Sequence, residues 1–380
     1  MILTVVTGYP SEKDKYNNNF VHTRVKAYIR EGMDSEVFII GTNQAPYSYD
    51  GVDVSYGTSE GLFNRVNSDK AITCVCFHFL DIQMLKAIQK FRSDVSITIF
   101  VHGNEALWWY ERIFPDKFAD LIHMLKFIKY AVKNTVSINY IKRRINTLGD
   151  NVNIVCVSEW MKNIAVKNWK IDESRIKTHI IPNIIDENIF PYKEKDPDSR
   201  FNILMIRSFT NGKYALDIAM EIIKELQEYP EKDRLKISVY GDGWLYEKYT
   251  SRIKEFPNVV LHRKMLPHSD ISGVHAQNGI FLCPTRQDAQ GVSMCEAMSS
   301  GLVPISSDNT AIPEFLPSEY RLAFNSPKES ARRIIEIIRN PAEYSILSKE
   351  VSAFIRQKCS VQKTTNKELE LMRSLSKDRV

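Results

Sequence analysis

The chain has 380 residues, with 51 Lys+Arg against 46 Asp+Glu for a net charge of +5, and is 43% hydrophobic and 26% charged. This length predicts two or three domains, each able to bury a core, and the composition excludes disorder, a collagen-like repeat and a small disulfide scaffold. So mild a positive balance gives no reason to expect a nucleic-acid partner.

Residues 1–7 read as a strand, having neither the basic start nor the small-residue cleavage region of a secretory leader. No uninterrupted apolar run approaches the ~20 residues that span a bilayer. The cysteines at 74, 76, 156, 283, 295 and 359 form no CxxC pair, and most lie in apolar runs. A reducing, cytoplasmic setting without a structural zinc is expected. Strands are predicted at 2–7, 36–40, 72–77, 96–101 and 153–157, with helices near 20–30, 82–91, 117–147 and 159–168. Such alternation predicts a parallel sheet covered on both faces.

After the polar, proline-flanked stretch 191–200 the pattern restarts. Strands are predicted at 201–206, 236–240, 279–283 and 302–305, with helices near 214–229 and 292–300 and helices again over the last 50 or so residues. The predicted organisation is a domain over 1–190, a linker at 191–200, and a second domain over 201–345. Helices over 346–380 are expected to pack back toward the first domain. The fold class is α/β, with two doubly wound Rossmann-like domains facing a cleft, and ligands at the C-terminal ends of the strands.

The segment Pro284-Thr285-Arg286-Gln287-Asp288-Ala289-Gln290-Gly291-Val292-Ser293-Met294-Cys295-Glu296-Ala297-Met298-Ser299-Ser300-Gly301 is the most informative. A buried strand ends at Pro284, Gly291 opens a helix and Gly301 closes it. The amides of Gly291, Val292 and Ser293 suit a phosphate. Glu296, one turn further on, can accept hydrogen bonds from two adjacent hydroxyls such as those of a ribose, and Asp288 stands nearer a second polyol. An ordinary strand–loop–helix with a surface acid has the same pattern, and these residues alone leave both readings open.

This segment resembles the signature of the retaining, family-four glycosyltransferases of the GT-B fold, in which two acids seven residues apart flank the nucleotide-sugar. Here the first acid is Asp288 where Glu is usual, followed by Ala289 where Gly is usual, and the second, Glu296, matches. Arg207 and Lys213 resemble the family's Arg–Lys pair, which implies that they hold the donor diphosphate and stabilise the leaving group. Gly241-Asp242-Gly243 resembles its turn beside the nucleotide. Pro182 to Asp186 resembles its end-of-first-domain motif, and Ser158 reads as a helix cap. By the same resemblance His102 contacts the donor sugar near its reacting carbon, with His78 as a rival, and Gly8 lets backbone approach the diphosphate or acceptor beside Asn17–Asn19. The implied activity is transfer of a sugar from a nucleoside-diphosphate sugar, UDP favoured, to a saccharide or lipid-linked hydroxyl, as in bacterial surface-polysaccharide assembly. The departing phosphate would accept the acceptor proton, so no protein nucleophile is needed.

Asp196-Pro197-Asp198 is the DxD spelling of a metal site, but it falls in the predicted linker, and no other metal spacing occurs, so no cofactor or essential metal is expected. Residues 121–149 hold six Lys or Arg (126, 129, 133, 142, 143, 144) and no acid. With Leu107-Trp108-Trp109-Tyr110 before them, they make residues 107–149 a candidate peripheral contact with an anionic membrane on its cytoplasmic face. A helix packed on the sheet with a solvated basic face is the other reading. A nucleotide-sugar epimerase and a non-catalytic scaffold remain as alternative functions. A dinucleotide oxidoreductase is disfavoured because no full G-x-G-x-x-G follows a strand.

Overall fold

The computed structural model describes residues 1–14, 17–41, 44–112 and 121–377, the side chains of 375–377 excepted. The predicted α/β class is what the chain adopts, in two compact units. One comprises Met1–Arg112, Leu125–Ile184 and the helix Val361–Lys377. The other comprises Ile185–Ser360, with which residues 121–124 group.

The first unit is built on eight strands: β1 (Ile2–Val6), β2 (Ser35–Ile40), β3 (Tyr47–Tyr49), β4 (Val52–Gly57), β5 (Cys74–His78), β6 (Ser96–Val101), β7 (Val152–Cys156) and β8 (Lys177–Ile180). They lie in the order β3-β4-β2-β1-β5-β6-β7-β8, parallel except for β3. Every residue of β1, β5, β6 and β7 is buried, as in a sheet covered on both faces. The β3–β4 hairpin, not anticipated from the sequence, turns at Asp50 and Gly51 with φ of +47° and +74°, the left-handed pair that matches the twist of adjoining strands.

The second unit carries β9 (Asn202–Ile206), β10 (Lys236–Gly241), β11 (Val259–Arg263), β12 (Ile280–Leu282), β13 (Val303–Ser307) and β14 (Ala323–Phe324), all parallel, in the order β11-β10-β9-β12-β13-β14. The stretch 191–200, expected as a linker, lies in this unit, where Phe190 is buried and the Lys195 ammonium donates to the His275 carbonyl at 2.6 Å. The chain passes between units at Ile184–Ile185 and again at Ser360–Val361, and the Ile185 amide donates to the Cys359 carbonyl at 2.9 Å.

Of the C-terminal helices, Pro341–Cys359 packs in the second unit and Val361–Lys377 in the first. The latter is pinned by Glu368, fully buried, which accepts from Arg24 Nε at 2.8 Å and from the Tyr28 hydroxyl at 2.5 Å. Leu369 and Met372 enter the same core as Ile2, Tyr28 and Phe100. Neither charge of this pair stands out in the sequence, since the partners are 344 residues apart.

Candidate functional site

In the second unit the strand order reverses at β9, which has β10 on one side and β12 on the other. Ligands bind outside the C-terminal ends of strands at such a reversal. β9 ends at Ile206 and β12 at Leu282, so Arg207 and the 283–291 loop emerge there. Arg207 is only 6% exposed. It donates to Ser293 Oγ at 2.8 Å and to the Cys283 carbonyl at 3.0 Å, while its Nε is buried with no partner among the described residues. Its guanidinium lies 5.5 Å from the Tyr214 ring, and the Lys213 ammonium lies 4.8 Å from the same ring. Among the described residues neither cation has a carboxylate partner. A buried guanidinium without a counter-charge is costly, and an anion at this place would relieve it.

The loop that carries Lys213 is held from the 285–286 segment. The Lys213 carbonyl accepts from the Arg286 amide at 2.8 Å and the Thr285 hydroxyl at 3.2 Å, and Arg286 itself pairs with Asp217 at 2.6 Å. The Gly241–Gly243 turn is a close approach: a Cβ on Gly241 would stand 2.0 Å from the Arg207 carbonyl oxygen, and one on Gly243 2.6 Å from that of Phe209. These glycines let the strand ends of β9 and β10 converge behind Arg207.

The helix Val292–Ser299 starts at Gly291, whose φ is +76°. Asp288, half-buried, uses one carboxylate oxygen to accept from the Gly291 amide at 2.8 Å and the Gln290 amide at 3.2 Å. It therefore fixes the turn that aims the amides of Val292 and Ser293, a structural duty beyond the sugar contact expected of it. The far end of this helix is held by Ser352, donating to the Ser299 carbonyl at 2.9 Å, and Ser348, donating to that of Gly301 at 2.6 Å.

Glu296, 14% exposed, has its Oε1 3.2 Å from His268 Nε2. Burial opposes the charge on His268, but the hydrogen bond to Glu296 and the charges of Glu296 and Asp186 outweigh it and raise its pKa above the ordinary value. Sequence reasoning missed His268, since nothing local to it announces a partner 28 residues on.

In the first unit His78 and His102 leave the ends of adjacent strands and meet, Nδ1 to Nε2, at 2.9 Å. The rival histidines are thus one pair. His78 stacks on Phe100 at 4.5 Å, and His102 packs against Phe20 and Phe79. Burial, with the nearby positive charges, holds both well below the usual histidine range, so both are neutral at pH 7. The other ring nitrogens, His78 Nε2 and His102 Nδ1, are buried and have no hydrogen-bond partner among the described residues. The His102 amide donates to Glu105 at 2.6 Å, and burial pushes the Glu105 carboxyl up to about 7 against the pull of backbone hydrogen bonds. Gly8 follows β1, and Asn17 fills the space its Cβ would take, while Asn18 donates to the Gly8 carbonyl at 2.9 Å.

Asp196 caps the short helix Pro197–Phe201, accepting from the Asp198 amide at 2.8 Å, and Asp198 pairs with Arg200. Among the described residues no three His, Cys, Asp or Glu side chains gather as a metal site.

Comparison with known proteins adds to this geometry. Residues 200–340 match the family Glycosyl transferases group 1. A phosphatidylinositol N-acetylglucosaminyltransferase subunit from Arabidopsis thaliana is 26% identical over 240 residues, covering 60% of this chain and 49% of that protein. The human protein of the same name is 29% identical over 178 residues, covering 45% and 35%. The chain thus spans half or less of the length of these relatives. Among solved structures, a glycosyltransferase from Rickettsia africae superposes with a TM-score of 0.70 at 13% identity, over 99% of this chain and 98% of that one. Anabaena HepE in complex with UDP and glucose gives 0.64 at 12% identity, over 98% and 99%. The chain has the fold of the GT-B glycosyltransferases, and its residues 200–340 match the glycosyl transferases group 1 family.

Proposed function

We propose that this protein is a retaining glycosyltransferase that moves a sugar from a nucleoside-diphosphate sugar, a UDP-sugar by preference, to a hydroxyl of a saccharide or lipid-linked acceptor, without an essential metal. The observation that carries the reading is Arg207: a buried guanidinium with no carboxylate partner among the described residues, at the sheet's reversal point beside a helix N-terminus. The diphosphate is the anion it lacks. As the donor bond breaks, negative charge grows on the leaving phosphate, and Arg207, Lys213 and the amides of Val292 and Ser293 stabilise it. Glu296, oriented by His268, accepts from the ribose hydroxyls. Asp288 keeps one carboxylate oxygen for the sugar while the other holds the helix start. By the family resemblance, His102, neutral and hydrogen-bonded to His78, is assigned the contact to the donor sugar near its reacting carbon.

Two names among the comparisons support the substrate classes. HepE is described with UDP and glucose bound, and the curated relatives are named as transferring N-acetylglucosamine to phosphatidylinositol. A lipid-borne hydroxyl is therefore the acceptor class we favour over a free sugar, with assembly of a bacterial surface polysaccharide as one setting for it. The test incubates the full chain with UDP-, GDP- and ADP-sugars in EDTA, with and without lipid-linked acceptors. Release of one nucleoside diphosphate together with an α-configured product, lost in Arg207→Ala, is the expected outcome. Isomerised donor without acceptor would assign an epimerase instead, and no turnover of any donor would favour a scaffold.

A further inference from the structure

We infer that the solvent face of the helix Leu121–Arg144 docks on an anionic lipid bilayer. This helix has two apolar faces. Asn134, Ile138 and Ile141, spaced as one side of a helix, are buried against the first unit. A second row, Leu125, Ile128, Val132 and Val136, spaced i, i+3, i+7 and i+11, is 56%, 50%, 61% and 56% exposed. A helix lying on a soluble protein places polar residues there. Single exposed apolar side chains need no explanation, but an aligned row of four is an interaction surface.

The charges beside the row select the occupant. Lys126, Lys129 and Lys133 are exposed along one flank, and Arg143 and Arg144 continue the positive charge beyond it. Within 121–149 the six basic residues meet no Asp or Glu. Lysine stems can lie along the apolar row while their ammonium groups reach phosphate. An apolar ridge edged with lysine fits a helix lying in the plane of a bilayer whose headgroups are anionic. A second copy of the same face would bring like charges together, which disfavours self-association. Among the described residues no helix is long and apolar enough to cross a membrane, so the contact lies on the surface. The sequence pointed to a wider region, 107–149. Of its aromatic residues Tyr110 is 62% exposed, whereas the Trp109 amide donates to buried Asn134 and its ring packs on Phe127, and residues 113–120 lie outside those described.

This surface does not depend on the proposed transfer reaction, and its test does not use activity. The full chain is sedimented with vesicles of phosphatidylcholine alone and of phosphatidylcholine with phosphatidylglycerol. The expected result is binding to the anionic vesicles only, weakened at least ~10-fold by raising salt several-fold, as screening of several charges requires. Ile128→Ser with Val132→Ser, and separately Lys126→Gln, Lys129→Gln and Lys133→Gln together, should each lower vesicle affinity by ~10-fold or more. These positions are exposed, so thermal unfolding should be unchanged, which separates lost docking from lost folding. Equal binding to both vesicle types, no binding to either, or variants that sediment as the wild type does would overturn the inference. So would a concentration-dependent dimer that the same serine substitutions dissolve, since that would assign the face to a second copy.

Discussion

Replacing His268 by Ala isolates how Glu296 recognises its ligand. The imidazole lies 3.2 Å from Glu296 Oε1, with the two side chains 28% and 14% exposed, so water screens the pair only in part. A hydrogen bond to a charged group contributes ~1.5–3 kcal/mol. Losing it frees the Glu296 side chain to rotate, and the cost to a ribose contact is about 1 kcal/mol, roughly five-fold in affinity. The pH dependence has a definite sign. A base whose folded pKa is raised contributes its interaction fully below its ordinary value of 6.5 and loses it as pH climbs through the folded value. Calorimetric titration at about pH 6 and at a pH high enough to deprotonate His268, with a nucleoside diphosphate and its 2′,3′-dideoxy counterpart, checks both points. The Ala variant should bind the ribonucleotide more weakly at the lower pH, converge on the wild type at the higher, and match it at both with the dideoxy ligand. An equal loss with the dideoxy ligand would refute the reasoning, because His268 would then act elsewhere than through Glu296.

Three further outcomes follow from the geometry. Glu368→Ala leaves Arg24 buried without its counter-charge and should cost ~3–5 kcal/mol in denaturant unfolding, whereas Arg24→Met with Glu368→Leu should recover most of it. Glu105 has its carboxyl raised from 4.5 to about 7, so the folded state holds a proton that the unfolded state releases between those values. Its contribution to stability therefore falls as pH rises across that window, by on the order of 3 kcal/mol, and Glu105→Gln should gain stability relative to wild type over the same interval and level off above it. Gly241→Ala puts a methyl 2.0 Å from the Arg207 carbonyl oxygen, and should lower thermal stability and nucleotide affinity together, a pairing that a site remote from Arg207 would not produce.

Much of this was legible because buried parallel strands announce themselves. The runs that became β1, β6 and β9 are apolar, β-branched and bounded by polar loops, so the central strands of both sheets could be read, whereas β3, β4, β8, β11 and β14, at or next to the sheet edges, could not. Arg207, Lys213 and the 288–296 segment stood out only through their resemblance to a glycosyltransferase signature, because their local pattern by itself fits an ordinary strand–loop–helix equally well. What stayed hidden depends on distance along the chain. His268 meets Glu296 through the path of β12 and its loop, and Glu368 reaches Arg24 only because the last helix packs in the first unit. His78 and His102 read as competitors in the sequence, although ends of neighbouring strands are where two side chains meet. The Asp50–Gly51 hairpin carried its turn signal in plain sight, but β3 is only three residues long.

Arg207, which has no carboxylate partner among the described residues, is the proposed seat of a nucleoside diphosphate. Thermal unfolding of the full chain with UDP, GDP, ADP or NAD, each well above its dissociation constant, tests it directly. A ligand at 100 times that constant adds ~2.7 kcal/mol to the folded state, enough to shift the midpoint by several degrees. Stabilisation by one nucleoside diphosphate, UDP first, and its loss in Arg207→Ala are the expected results. No shift with any diphosphate, or a shift that Arg207→Ala retains in full, would contradict that assignment.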